Sequence, residues 1–312
     1  MCSDAGCAPA VRTAETRSQD VRRPARGRRA APIDPVLGWR VHPVNPAQGI
    51  LDLATAVFPI LLHYRSFILP TYGFLVVLGM GVGVCVGMHY ARRDGIEREK
   101  VWNFVGLGVL SGIVVPKLLF VIDNWYFYSS HPRAILDLQA GGIWSVSLVI
   151  AVLVCLWYML RSGMPVLKTA DVAAPGIAVG HGVGRLACFA AGCCWGKPTT
   201  LPWGVTFRNP LAAQLGGAPL GIALHPTQLY EVALELANFL LLVWLLGRKH
   251  FDGQVAGTYL FVYGFGRYFL EFLRNDPGRG SVFHGIMSGT QLLAILMVVS
   301  GGLLLRTRRA AT

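Results

Sequence analysis

Seven apolar runs, each close to the length of a bilayer crossing, constrain this chain more than anything else in it: about 69–91, 102–123, 143–160, 171–191, 227–246, 255–273 and 286–305. A hydrocarbon core takes roughly 20 apolar residues of helix to cross. Lipid offers no partner to backbone N–H and C=O groups, so such runs must be helices, which pair those groups internally. The implied fold class is all-α, a polytopic integral membrane protein with seven transmembrane helices. With 54% hydrophobic residues, 14% charged residues and a mean hydropathy of +0.50, an ordinary soluble domain is excluded.

Loop charge sets the orientation. Arg92, Arg93, Arg98, Lys100, Arg161, Lys168, Arg248, Lys249, Arg306, Arg308 and Arg309 follow alternate spans on one side, whereas Arg133, Lys197, Arg208, Arg274 and Arg279 are spread over longer loops on the other. The richer side reads as cytoplasmic, with the C-terminus there and the 192–226 loop outside. Much of the formal charge of +12 sits in a tail, residues 1–50, that holds Arg12, Arg17, Arg22, Arg23, Arg26, Arg28, Arg29 and Arg40. Its Arg, Ala and Pro content reads as disordered, and the membrane domain occupies 51–312. No aromatic residues interleave the arginines from Arg12 to Arg29, so a solvated or headgroup-associated tail is expected and no nucleic-acid partner. Seven crossings put this tail outside; a further pass through Ile50 to Leu62 would reverse that, but the segment is short, carries Asp52 and Pro59, and reads as interfacial. The first residues lack an apolar core, so no cleavable signal peptide is expected.

Ionisable residues within the spans point to function, because burying one in lipid is costly without a partner. Span four carries His181 and Arg185, and span six carries Tyr263, Arg267 and Glu271, each set at four-residue spacing on one helix face. Span five begins His225-Pro226-Thr227-Gln228-Leu229-Tyr230-Glu231, and Gln228, Glu231, Glu235 and Asn238 draw a polar stripe along it. Its two carboxylates call for cations, with Arg185 and Arg267 the candidates; a purely structural ion-pair network is the alternative. Tyr72 adds a phenol near the outer end of span one. All these groups lie toward the external leaflet, and two guanidiniums beside an imidazole suit a phosphate-bearing lipid.

Taken in order, Tyr72-Gly73, Asp171-x3-Pro175, Gly184-Arg185-Leu186, Trp195-Gly196, His225 to Glu231, Tyr263-Gly264-x2-Arg267 and Glu271-Phe272-x-Arg274 resemble the prolipoprotein diacylglyceryl transferase family over roughly 69–305. The resemblance implies a plasma-membrane enzyme that moves a diacylglyceryl group from phosphatidylglycerol to the lipobox cysteine thiol of a prolipoprotein signal peptide. No cofactor or metal is required for that chemistry. On matching positions, Arg185 and Arg267 would hold the phospholipid headgroup, with Tyr72, Gly196, Gln228, Tyr230 and Glu231 lining the substrate site and Tyr263 a catalytic residue within it. The chain departs from the family pattern in span three, where Gly141-Gly142-Ile143-Trp144-Ser145-Val146-Ser147 stands in place of a histidine and two glycines. It departs again at Cys188 and at Ala191-Gly192-Cys193, and in span two, where Pro116 or Lys117 replaces an arginine. His181 or His225 is then the candidate general base. Cys188, Cys193 and Cys194 leave three readings open: packing, a disulfide, or metal ligation. Action on another acceptor, or a lipid-binding protein or transporter without catalysis, are the competing functions; no repeat between the halves supports a transporter.

Overall fold

The computed structural model describes residues 60–64, 67–136, 144–275, 281–282 and 287–309. The basic tail, the 51–59 part of the segment read as interfacial, Gly141 to Ile143, Asp276 and Arg279 lie outside the described residues. A hairpin of β1 (Ile60–Tyr64) and β2 (Phe67–Pro70) leads into α1 (Thr71–Arg93). Then come α2 (Arg98–Asp123), α3 (Trp125–Ser130), a 3-10 turn (Pro132–Leu136), α4 (Trp144–Arg161) and α5 (Val166–Ala191). The connection to the next long helix holds β3 (Val205–Thr206), α6 (Pro210–Gly216) and β4 (Ala223–Leu224). The chain closes with α7 (Thr227–Leu246), α8 (Gln254–Glu271), β5 (Ser281–Val282), β6 (Met287–Ser288) and α9 (Gly289–Arg309).

Each of the seven apolar runs overlaps a helix, and their ends follow local chemistry. Pro70, Pro165 and Pro226 stand immediately before α1, α5 and α7, where a missing N–H is harmless. Gly192 ends α5 in the left-handed region at φ +74°. Among the described residues, five helices are long and apolar enough to cross a membrane: α1, α2, α5, α7 and the Gly289–Thr307 part of α9. The apolar stretch of α4, Leu148–Arg161, is shorter, and α8 has only 18 residues and carries Arg267 and Glu271. The described chain is mostly helical, as expected, and adds only three small antiparallel pairs, β1–β2, β3–β4 and β5–β6. The first pair precedes α1 and the other two lie in connections between helices, where strands can pair without crossing lipid. Ile60 to Leu62, read as part of an interfacial segment, belong to the first of these strands.

Glycines set the closest helix contact. Gly79 and Gly83 of α1 face Gly176 and Gly180 of α5, and a Cβ at Gly79 would lie 2.7 Å from the Gly180 carbonyl oxygen. Backbones approach this closely only where both helices present small residues. The fit holds the half of α5 that carries His181 and Arg185 against α1. Three apolar clusters surround this frame. Met88, Ala91, Ile96, Val101, Met159, Met164 and Val172 close one end; Ala174, Ala178, Leu242, Val255, Tyr259 and Tyr263 fill the middle. At the other end the 192–226 connection packs Trp195, Val205, Phe207, Ala212, Ala218 and Leu224 against Phe189 of α5. That small folded cap sits directly over the polar stripe of α7.

Candidate active site

The centre of the site lies on α7, where Gln228, Glu231, Glu235 and Asn238 are all buried. Their three- and four-residue spacing turns one face of the helix polar, and α7 packs against both α5 and α8. A carboxylate buried in such a place needs partners. Glu231 Oε1 receives Arg185 Nη2 at 3.0 Å and the Tyr263 hydroxyl at 2.9 Å, with Arg267 Nε at 3.5 Å and His181 Nε2 at 3.8 Å. Four groups from α5 and α8 therefore converge on a single oxygen.

One turn along α7, Glu235 Oε1 pairs with His181 Nδ1 at 2.6 Å and accepts from the Tyr259 hydroxyl at 3.2 Å. The expectation that both carboxylates pair with arginine is thus corrected for Glu235. The reason is register: α5 and α7 carry their polar residues in matching rungs, so Arg185 meets Glu231 while His181, one turn earlier, meets Glu235. The His181 ring stands edge-on to Tyr263, with centroids 5.4 Å apart, and Tyr263 stacks on Tyr259 at 5.6 Å. On α8, Arg267 Nη1 lies 2.7 Å from Glu271 Oε2, and Glu271 Oε1 accepts from Ser288 Oγ at 2.8 Å. Tyr259 was not singled out in the sequence, although it lies one turn before Tyr263 on the same face.

Arg185 has donors to spare. A guanidinium offers five N–H groups. One terminal nitrogen serves Glu231, the other faces Cys194 Sγ at 3.8 Å, and Nε is buried with no partner among the described residues. Leaving a buried donor unmet costs roughly 1–3 kcal/mol, so this nitrogen is poised for an incoming acceptor.

Beyond α5 the backbone is forced into an unusual path. Cys194 has φ +60°, a region that costs a residue with a Cβ about 1–3 kcal/mol. Two α7 side chains hold it there: Thr227 Oγ1 donates to the Cys194 carbonyl at 2.8 Å, and Gln228 Nε2 to the Cys193 carbonyl at 2.6 Å. Gln228 therefore acts on the loop backbone. Gly196 then passes between two backbone segments, where a Cβ would lie 2.5 Å from the His225 carbonyl oxygen and 2.9 Å from that of Leu273. Flanking bonds from Lys197 N to Leu273 O, 2.7 Å, and from His225 N to Lys197 O, 2.9 Å, tie the loop to the ends of α7 and α8.

This path gathers the Cys188, Cys193 and Cys194 sulfurs within 4.8 Å of one another. Hydrogen bonds from the Cys188 and Cys193 thiols hold Cys194 well below the ordinary thiol value, aided by Arg274 and Arg185 and opposed by burial. The Cys193 thiol is raised by its hydrogen bonds with Cys188 and Cys194 and by burial. Tyr72, half-exposed at the start of α1, stands within electrostatic reach of the three thiols and Arg185. His225 and Tyr230 form a separate group: His225 Nδ1 lies 3.3 Å from the Tyr230 hydroxyl, which also accepts from Trp203 Nε1 at 2.8 Å. No hydrogen bond or ion pair links that group to Glu231 among the described residues.

With this geometry in hand, similarity to known proteins is informative. A family profile described as "Prolipoprotein diacylglyceryl transferase" matches residues 59–307. A Clostridium perfringens protein named "Phosphatidylglycerol--prolipoprotein diacylglyceryl transferase 2" is 35% identical over 238 residues, covering 75% of this chain and 89% of the relative. A Clostridium tetani protein of the same name without the numeral is 31% identical over 243 residues, 78% of this chain and 94% of the relative. One from Solidesulfovibrio magneticus is 33% identical over 247 residues, with 77% and 89% covered.

Proposed function

This chain belongs to the prolipoprotein diacylglyceryl transferase family, and on that premise we propose that it is a membrane enzyme that transfers a diacylglyceryl group from phosphatidylglycerol to a prolipoprotein. The observation that carries the reading is the pair of guanidiniums from two helices sharing one carboxylate oxygen, with a donor of Arg185 left open. Arg185 and Arg267 take the phosphate of the headgroup, guanidinium being matched to phosphate oxygens. Tyr72 lies at the mouth, and Tyr263 holds Glu231 in place between the two cations.

The acceptor is the lipobox cysteine at the end of the signal peptide. Its sulfur attacks glycerol C3, the C3–O bond breaks with its electrons passing to the phosphate, and glycerol phosphate leaves. The departing negative charge is stabilised by the two guanidiniums in a site that excludes water. The thiol proton passes to His181, whose ring is fixed through Nδ1 by Glu235, the arrangement of an oriented general base. His225 is the second candidate, oriented by Tyr230. Gln228 and Gly196 act through the loop backbone that they hold, and Tyr230 through His225. All seven apolar helices cross the inner membrane in this reading, with the C-terminus cytoplasmic and the polar site in the outer half.

The test is direct. Membranes containing the protein, labelled phosphatidylglycerol and a lipobox peptide should yield a thioether-linked diacylglyceryl peptide, and Arg267→Ala should remove it. A folded wild-type protein that makes no such product overturns the reading.

A further inference from the structure

The three clustered thiols are not used by the transfer chemistry, yet the fold invests heavily in their placement. Cys188 occupies the last turn of α5; Gly192 reverses the chain, and the left-handed turn at Cys194 brings the two following sulfurs back over it. Thr227 and Gln228 fix the carbonyls of both loop cysteines from α7. A single disulfide would use two of these sulfurs and strand the third. Three sulfurs meeting at a point suit a soft cation, and we infer that Cys188, Cys193 and Cys194 form a three-thiolate binding site for a thiophilic divalent cation of the zinc class.

Geometry and charge both support this. Zinc–thiolate bonds of about 2.3 Å put tetrahedral sulfurs about 3.8 Å apart. The sulfurs already lie within 4.8 Å of one another, so closure needs shifts of only about 1 Å. Three thiolates around a divalent cation leave one negative charge. Arg185, with Nη1 3.8 Å from Cys194 Sγ, supplies the neutralising charge and an outer N–H donor of the kind that steadies metal-bound sulfur. The protein provides three ligands, leaving the fourth position of a tetrahedral ion for water or another small donor. Bound there, the cation pins the end of α5 to the loop carrying Gly196, next to the headgroup arginine, as a structural clamp outside the chemistry. Metal binding releases the three thiol protons to solvent as the metal–sulfur bonds form.

The experiment uses full-length protein in nanodiscs, reduced and stripped of metal, with Co2+ as a spectroscopic probe. Thiolate-to-cobalt charge-transfer absorption should appear, saturate at one ion per chain and be displaced by Zn2+. It should persist in Cys2→Ser/Cys7→Ser and vanish in Cys194→Ser. In the wild type, which needs no variant to fold, Zn2+ should protect Cys188, Cys193 and Cys194 from maleimide while Cys85 and Cys155 keep their rates. Absence of the absorption in reduced wild type, its survival when all three cysteines are serine, or a disulfide between two of them in protein isolated without reductant, overturns the proposal. These readouts do not depend on transferase activity, so they stand or fall apart from the assigned reaction.

Discussion

Two carboxylates are buried near opposite ends of α5 and its neighbours, and the protein neutralises them in opposite ways. Asp171, fully buried, accepts from Lys249 Nζ at 3.0 Å and from the backbone N–H groups of Gly253 and Ala256, both at 2.9 Å. Those amides open α8, so Asp171 caps the positive end of that helix from another helix. Lys249 also pairs with Asp252 at 2.8 Å; although burial lowers its affinity for a proton, its hydrogen bonds to Asp252 and Asp171 hold the ammonium above the ordinary lysine value. Glu231, by contrast, meets side chains from α5 and α8, one of which, Arg185, leaves a donor unused. The first arrangement is saturated and serves as a lock. The second keeps capacity for a ligand, and the difference is what separates a structural ion pair from a site.

The sharpest attempt to break that contrast is Arg267→Ala. Loss of one charge-stabilising donor should lower the transfer rate about 1000-fold, roughly 4 kcal/mol of transition-state stabilisation, measured as thioether product in vesicles. A near wild-type rate would make the Glu231 cluster as structural as the Asp171 one. Next comes Asp171→Ala, which strips one partner from the half-buried Lys249 ammonium and two acceptor contacts from a helix start. It should destabilise the fold by about 3 kcal/mol in thermal unfolding, while the rate per folded molecule holds. A loss of rate with no change in unfolding would erase the proposed division of labour.

His181→Ala should reduce transfer about 100-fold, the contribution of a positioned base, measured as thioether product. If His225→Ala does this instead, the base belongs to the His225–Tyr230–Trp203 group and the site extends under the cap. The smallest effect is expected of Gln228→Ala. One hydrogen bond to the Cys193 carbonyl is worth about 1 kcal/mol, so a modest fall in thermal midpoint and a few-fold loss of rate should follow. An unchanged midpoint would mean that Thr227 alone holds the loop.

Apolar runs and their punctuation settled the helices, because lipid admits one solution for such segments and proline or glycine marks where it stops. Four-residue spacings likewise foretold that His181 with Arg185, and Tyr263 with Arg267, share faces. Spacing cannot say which rung of one helix meets which rung of another, and here that choice gave Glu231 to the arginines and Glu235 to His181. Tertiary packing also decided that Gln228 grips a loop carbonyl and that three cysteines, at positions five and then one apart, meet at a point. These outcomes depend on the glycine contact between α1 and α5 and on a reversal through Gly192 and Cys194, where distances in space replace distances along the chain.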